Sequence, residues 1–332
     1  MIHVHGVQNF KIGRLRCQIS NTNDVPLFFS LVDYRNNLFT SNDPKKIMEF
    51  YDGFENRDQL IQWMKERPKG VSYIHEVEGD KDVIVVIPTA DFNGKYAREC
   101  RDNIFKGLHM VFVESGIGNF YFNYAHNCNV GIKRAMEYNP KWVVVSNDDM
   151  VKEDPIERLC STLSKLNNEE EIIIHTLKTG KYHSRDAIIS IRSLRRKIVL
   201  NMMGNMERMR MNIESRLDIR YIVGSTHAFN RFIYKAILRV KYSGSFTIMS
   251  STLINKMKNT PFDETFINGA EDIDLALLLK LVGTKVEYVN YKIEDIIGGT
   301  IGPYDIIRRT RDLANGCYLN AKIRNNYLQL VM

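Results

Sequence analysis

Two stretches of this chain gather enough acid to do chemistry. The first is Lys141-Trp142-Val143-Val144-Val145-Ser146-Asn147-Asp148-Asp149-Met150, an apolar run that ends in an amide and two carboxylates. Adjacent acids repel each other unless positive charge sits between them. A hard divalent cation, Mg²⁺ or Mn²⁺, is the usual answer, because it takes oxygen ligands and bridges to phosphate oxygens. Asn and Asp are also common turn residues, so a strand followed by an Asp-rich turn accounts for the same letters. The second stretch runs from Phe262 to Leu275 and places Glu271, Asp272 and Asp274 at the start of a helix. The helix macrodipole favours acids there by about 0.3–1 kcal/mol each. Capping needs one or two of them, which leaves a third to explain. The following residues, Leu275 to Val282, are apolar nearly all round, so the helix is expected to be buried, with Gly283 at its end. A buried helix presents its N-terminus to a fixed place, which suits a catalytic carboxylate.

The elements that position these acids read as an α/β domain. A Val-rich run such as Trp142–Val145 is the pattern of a strand buried on both faces in a parallel sheet. Open α/β sheets bind ligands beyond the carboxyl ends of such strands. Val83 to Thr89 is a second such strand, stopped by Pro88, and a polar loop from Ala90 to Gly94 follows. A helix is expected over Lys95–Lys106, a strand over Met110–Val113 closed by Glu114, and a helix from about Tyr124 to Tyr138. No G-x-G-x-x-G follows the first strand, which excludes a dinucleotide fingerprint. Past Asp149 the pattern predicts a helix over Pro155–Lys165 and strands at Glu171–Thr176, Tyr221–His227 and Val286–Val289. A C-terminal helix starts after Pro303. Residues 192–217 are basic and Met-rich; they form either a membrane-surface helix or, the preferred reading, a core-packed helix with a solvated basic face. Residues 1 to about 80 read as an extension, with helices at Pro44–Tyr51 and after an Asn56 cap. His3 and His5 share a strand face there, and Glu76 to Asp82 reads as a charged link.

Composition bounds the rest. The 332 residues are 44% hydrophobic and 26% charged, ordinary for a globular protein, with a net charge of +7 that favours an acidic partner such as phosphate. Five widely spaced cysteines without a C-x-x-C fit neither a disulfide scaffold nor a zinc site. With no stretch near the roughly 18 apolar residues of a membrane span and no signal-peptide pattern, the expected location is cytoplasmic, with peripheral contact at the inner membrane face left open.

Laid out in order, these parts resemble the family 2 inverting glycosyltransferases with the GT-A fold. The resemblance covers residues 81 to about 305. It is carried by Pro88-Thr89 ending the first strand, Glu114 ending the second, Ala125-His126-Asn127-Cys128-Asn129-Val130-Gly131 on the next helix, Asn147-Asp148-Asp149 as the D-x-D-like motif, and Glu271-Asp272-Ile273-Asp274-Leu275. It implies a mostly parallel sheet flanked by helices, with an extension at 1–80 and a glycosyltransferase domain at 81–332. Within that domain the donor half spans about 81–150, the acceptor half about 151–305, and a C-terminal helix about 303–332. Asn147 replaces the usual first acid, and His126 stands where Arg is common. Asp295 takes the place of a metal-binding His near the turn Gly298-Gly299-Thr300.

The activity implied is transfer of a sugar from a UDP, GDP or dTDP donor to a hydroxyl of a glycan or lipid-linked acceptor. Asp272 would be the general base. Asp149 and Asp295 would hold Mn²⁺ or Mg²⁺. Pro88, Thr89, Asp91, Glu114, His126, Asn147 and Asp148 would line the donor side, and Gly269, Glu271 and Asp274 the acceptor side. Two other classes fit parts of the pattern. A sugar-phosphate nucleotidyltransferase needs a Gly-rich, basic loop after the first strand, and Ala90-Asp91-Phe92-Asn93-Gly94-Lys95 has a single Gly. A non-enzymatic nucleotide- or nucleic-acid-binding protein fits the charge but leaves both acidic clusters without a purpose; no specific nucleic-acid partner is expected.

Overall fold

Apolar β-branched runs build the centre of the molecule. The computed structural model describes residues 7–12, 15–20, 33–178, 181–182, 185–191, 204–225, 236–296 and 306–328. In chain order the strands are β1 (Val7–Ile12), β2 (Leu15–Ser20), β3 (Tyr73–Val77), β4 (Asp80–Thr89), β5 (Leu108–Glu114), β6 (Trp142–Ser146) and β7 (Met150–Lys152). There follow β8 (Ile172–Lys178), β9 (Lys181–Tyr182), β10 (Arg185–Ile191), β11 (Tyr221–Ser225), β12 (Ala236–Tyr242), β13 (Phe246–Ser250) and β14 (Lys285–Asp295). The helices are α1 (33–40), α2 (Pro44–Asp52), α3 (Arg57–Glu66), α4 (Lys95–Glu99), α5 (Tyr124–Met136) and α6 (Ile156–Leu163), then α7 (Asn205–Arg216), α8 (Ser251–Lys256), α9 (Glu271–Leu281) and α10 (Ile306–Lys322).

The main sheet runs β3-β5-β4-β6-β13-β8-β14-β7, with β9 on β8. It is a mixed sheet flanked by helices, which corrects the expectation of a mostly parallel one. β5, β4 and β6 are parallel, as are β8 and β14. β13 runs antiparallel between β6 and β8, and β3 and β7 are antiparallel at the two ends. The physical reason is the connections. Parallel neighbours need a crossover, which α4 and α5 supply for β4, β5 and β6. β13 arrives from β12 through a short turn and enters the sheet in the opposite direction. Apolar patterning reports burial, not direction. β10, β11 and β12 form a separate antiparallel sheet, and β1 pairs with β2.

Both faces of the sheet are covered. Val83, Val85 and Ile87 of β4 join Phe112, Val144, Phe246 and Tyr291 on one face, while Ile84 and Val86 meet Ala125, Ile132, Leu275 and Leu279 on the other. This is the two-residue period of a strand, and it explains why the runs are apolar throughout. Each fully buried Val or Ile contributes about 1.5–3 kcal/mol. α9 is apolar on two sides for a similar reason: Leu275 and Leu279 face the sheet, and Leu277 packs with Phe266, Leu319 and Ile323.

Residues 38–77 are built into the same body. α1, α2, α3 and the α2–α3 connection supply Phe39, Ile47, Phe50, Tyr51, Phe54 and Trp63 to a core shared with Ile213 of α7, Leu217 at its C-cap, and Leu313 and Cys317 of α10. The Tyr51 hydroxyl donates to Thr310 O at 2.7 Å and accepts from Ala314 N at 3.1 Å. Asn56 caps α3, as its sequence implies, by accepting from Asp58 N and Gln59 N. β3, inside the segment read as an extension and link, pairs with β5 along Tyr73–Val77. No helix among the described residues is long and apolar enough to cross a membrane. His3, His5, residues 192–203, His227, Pro303 and the turn Gly298-Gly299-Thr300 lie outside the described residues.

Candidate active site

The two acidic stretches are linked through the Gly244-Ser245 turn and Tyr124. At the end of β4, Thr89 Oγ1 donates to Asp148 Oδ2 at 2.7 Å. Asp148 and Asp149 follow directly from β6 and are 7% and 5% exposed. Cys100 Sγ donates to Asp148 O at 3.2 Å. Burial, and then the charges of Asp148 and Asp149, push the Cys100 thiol far up, so it remains a neutral donor. Asp149 O accepts from Ile296 N at 2.9 Å, and Asp295 pairs with Met150 in the β14–β7 register. The chain thus brings Asp295 alongside the Asp149–Met150 peptide from a distant strand. Asp91 sits in the loop beyond Thr89, where its N–H bonds Thr89 Oγ1 at 3.3 Å. Pro88 lies one residue before Thr89, in β4 beside Val113 of β5.

The contact between the stretches runs through the turn before β13. Asn147 N donates to Ser245 O at 2.9 Å. At the neighbouring residue, Gly244, an added Cβ would stand 2.6 Å from Asp272 Oδ2. The Asp272 carboxylate therefore packs against bare backbone, and a side chain there would collide with it. Its other oxygen, Oδ1, accepts from Ile273 N at 2.8 Å. Tyr124, the first residue of α5, bridges the same region: its hydroxyl donates to Asn147 Oδ1 at 3.0 Å. Burial, then nearby Cys128 and Glu271, raise that phenol well above its ordinary range, so it stays a donor.

The loop that starts α9 is held under strain. Asn268 and Ala270 both sit in the left-handed region, at φ 51° and 69°. Non-glycine residues stay there when their surroundings over-determine them, often at functional sites. Here Asn268 Oδ1 accepts from Tyr124 N at 2.8 Å. Asn315 grips Ile267 at both backbone groups, at 2.8 and 2.9 Å. Gly269 faces α10, where an added Cβ would lie 3.1 Å from Asn315 Nδ2 and 3.4 Å from Asp312 Oδ1.

Glu271 is the anomaly of this loop. It is 8% exposed, and its Oε2 is buried without a hydrogen-bond partner. Burial, then the charge of Asp272, push its carboxyl up to about 8, with Asp312 adding to the rise. Near neutral pH Glu271 therefore carries its proton, beside the Asp272 carboxyl that helps raise it.

The remaining expected site residues divide. Glu114 ends β5, and His75 Nε2 of β3 lies 2.7 Å from its Oε2. His126 Nδ1 lies 2.8 Å from Glu264 Oε2, and Glu264 also accepts from Asn129. Burial pushes Glu264 up, but Asn129, His126 and Lys69 together hold it below the usual range. Asp274 is turned into the core: Lys322 Nζ donates to its Oδ2 at 2.6 Å and Tyr327 to its Oδ1 at 2.8 Å. Residues two apart on a helix do not share a face, which separates Asp274 from Asp272. His75, Tyr124, Gly244, Ser245 and Asp312 are not among the site residues that the sequence singles out. The Ser243-Gly244-Ser245 turn was the one visible signal, since a glycine between small polar residues allows close backbone approach.

Among the described residues, no three His, Cys, Asp or Glu side chains gather to hold a metal ion by themselves. The backbone pairing brings Asp149 and Asp295 into neighbouring positions, and carboxylates are ligands that Mg²⁺ or Mn²⁺ would accept together with phosphate oxygens and water. Set against known proteins, the chain matches no family model, and no curated protein is detectably similar to it.

Proposed function

We propose that this chain is a metal-dependent inverting glycosyltransferase of the GT-A kind, similar to family 2, which moves a sugar from a nucleotide-diphosphate donor to an acceptor hydroxyl. The observation that carries this reading is the meeting of Asp272 with the Asn147–Asp149 strand end through Gly244 and Ser245. A displacement at an anomeric carbon needs a diphosphate site and a base within one small space, and these stretches supply one each. The parallel β5-β4-β6 core, with its strand ends at Glu114, Thr89 and Ser146, supports the reading as well.

On this reading Asp149 and Asp295 hold Mn²⁺ or Mg²⁺, with Asp148 beside them fixed by Thr89. When bound, the ion neutralises the charge that develops on the leaving diphosphate. Asp272 takes the proton of the attacking hydroxyl, a role worth roughly 10²–10⁴ in rate. It packs against the bare backbone of Gly244, with the protonated Glu271 beside it. Tyr124 orients the Asn147 amide. Glu114 and His126 border the nucleoside region, and Asp274 braces the helix from behind. The acceptor is a glycan or lipid-linked glycan hydroxyl.

Calorimetric titration with UDP, GDP and dTDP, each with and without Mn²⁺, tests the reading. Binding of at least one nucleotide should require the metal and should weaken at least tenfold in Asp149→Ala. Equal binding without metal, or in the variant, would remove Asp149 from the site.

A further inference from the structure

Glu114 does not stand alone at the end of β5. Its partner, His75, comes from β3, outside the stretch that resembles a glycosyltransferase. The His75 ring lies flat on Phe92, with centroids 4.4 Å apart and planes 7° from parallel. Phe92 belongs to the loop after Thr89, its ring meets Phe112 edge-on at 5.2 Å, and the Arg101 guanidinium lies 4.9 Å from its centroid. His75 is therefore fixed twice, by stacking and by the 2.7 Å contact to Glu114 Oε2. Both partners remain reachable, with side-chain exposures of 35% and 25%.

The segment that carries His75 is itself tied down along its length. Arg67 Nη2 donates to Phe120 O at 2.5 Å, Gly70 N to Tyr121 O at 2.9 Å, and Ser72 Oγ to Asn127 Oδ1 at 2.8 Å. Residues 67–77 thus form one wall of the region that Glu114 and His126 border.

We propose that His75 is a specificity-determining residue for the nucleobase of the donor, acting together with Glu114; the inference rests on the nucleotide-sugar reading above. The imidazole donates from Nε2 to one carboxylate oxygen and holds the carboxylate in one orientation. The other oxygen is left to accept from a base. One committed acceptor matches a base edge with one ring N–H, the imide of uracil or thymine. Guanine offers an adjacent pair of N–H donors and asks for both oxygens of a carboxylate. The stack on Phe92 supplies the rigidity that makes this difference count, because an unfixed carboxylate could turn to meet either base.

The test is calorimetry of UDP, dTDP and GDP in Mn²⁺ with wild type, His75→Phe and Glu114→Ala. Phenylalanine keeps the stack and removes the hydrogen bond, and thermal melting checks that each variant is folded. The wild type should bind UDP or dTDP at least tenfold more tightly than GDP. A hydrogen bond to a charged group is worth enough to set such a ratio. In His75→Phe the ratio should collapse toward that of Glu114→Ala while the metal requirement persists. An unchanged ratio in His75→Phe overturns the assignment of His75, and a wild-type preference for GDP overturns the match to an imide. If the wild type binds no nucleotide, the glycosyltransferase reading falls, and this inference falls with it.

Discussion

Replacing Glu271 by Gln should change how stability depends on pH while leaving the fold intact. The folded carboxyl is raised from its ordinary 4.5 to about 8 by burial and by Asp272. Between those values the folded chain holds a proton that the unfolded chain has released. Because the unfolded state binds fewer protons there, stability falls as pH rises through this window. At about 1.4 kcal/mol per pH unit, the loss is on the order of 2–5 kcal/mol, the lower figure applying when Asp272 shares the proton. Glutamine matches the neutral acid in size and cannot ionise, so this slope should vanish. Urea denaturation of both proteins from pH 5 to 9 measures it. The two should be close near pH 5, diverge steadily up to about pH 8 and run parallel above it, with Glu271→Gln the more stable. Parallel curves across the range would refute the argument, since Glu271 would then be ionised at neutral pH like any exposed acid. A variant less stable than wild type at every pH would show instead that the carboxyl makes a hydrogen bond that the amide cannot.

Three further outcomes follow from the same geometry. Asp272→Asn should lower sugar transfer by about 10²–10⁴ with nucleotide affinity changed little; joint loss of both would make the residue a donor ligand or a structural one. Gly244→Ala puts a methyl 2.6 Å from Asp272 Oδ2, so the carboxylate must move. A displacement of about 1 Å near the reacting atoms costs on the order of 10²-fold in rate, and kcat should fall while Mn²⁺-dependent nucleotide binding persists. Wild-type turnover in this variant would place the base elsewhere. Tyr51→Phe removes the buried hydroxyl that ties α2 to Thr310 O and Ala314 N of α10. Urea denaturation should register a loss of about 1–3 kcal/mol, and no change would mean that the α2–α10 contact contributes little.

What the sequence made legible divides along a physical line. Val83–Ile87 and Trp142–Val145 announce themselves because burial on both faces leaves no polar letter in the run. The acids that end β6 and begin α9 stand out against such runs, so the candidate residues were visible. Their meeting was not, because it depends on β13. Phe246–Ser250 is buried throughout, yet it carries Thr247 and ends in Ser250, and no local pattern says that it enters between β6 and β8. β14 hid for a related reason. Only Val289, Tyr291 and Ile293 of its length are buried, and the polar residues between them broke the run that marked Val286–Val289. His75 was masked more thoroughly. An edge strand with exposed Tyr73 and Ile74 has little apolar signal, and the acids around it read as a charged link. The value of His75 comes from Glu114 on the neighbouring strand and Phe92 in a loop, neither of which is near it in sequence. Residue type and local spacing therefore locate the groups able to do chemistry, while sheet order decides which of them can act on one substrate.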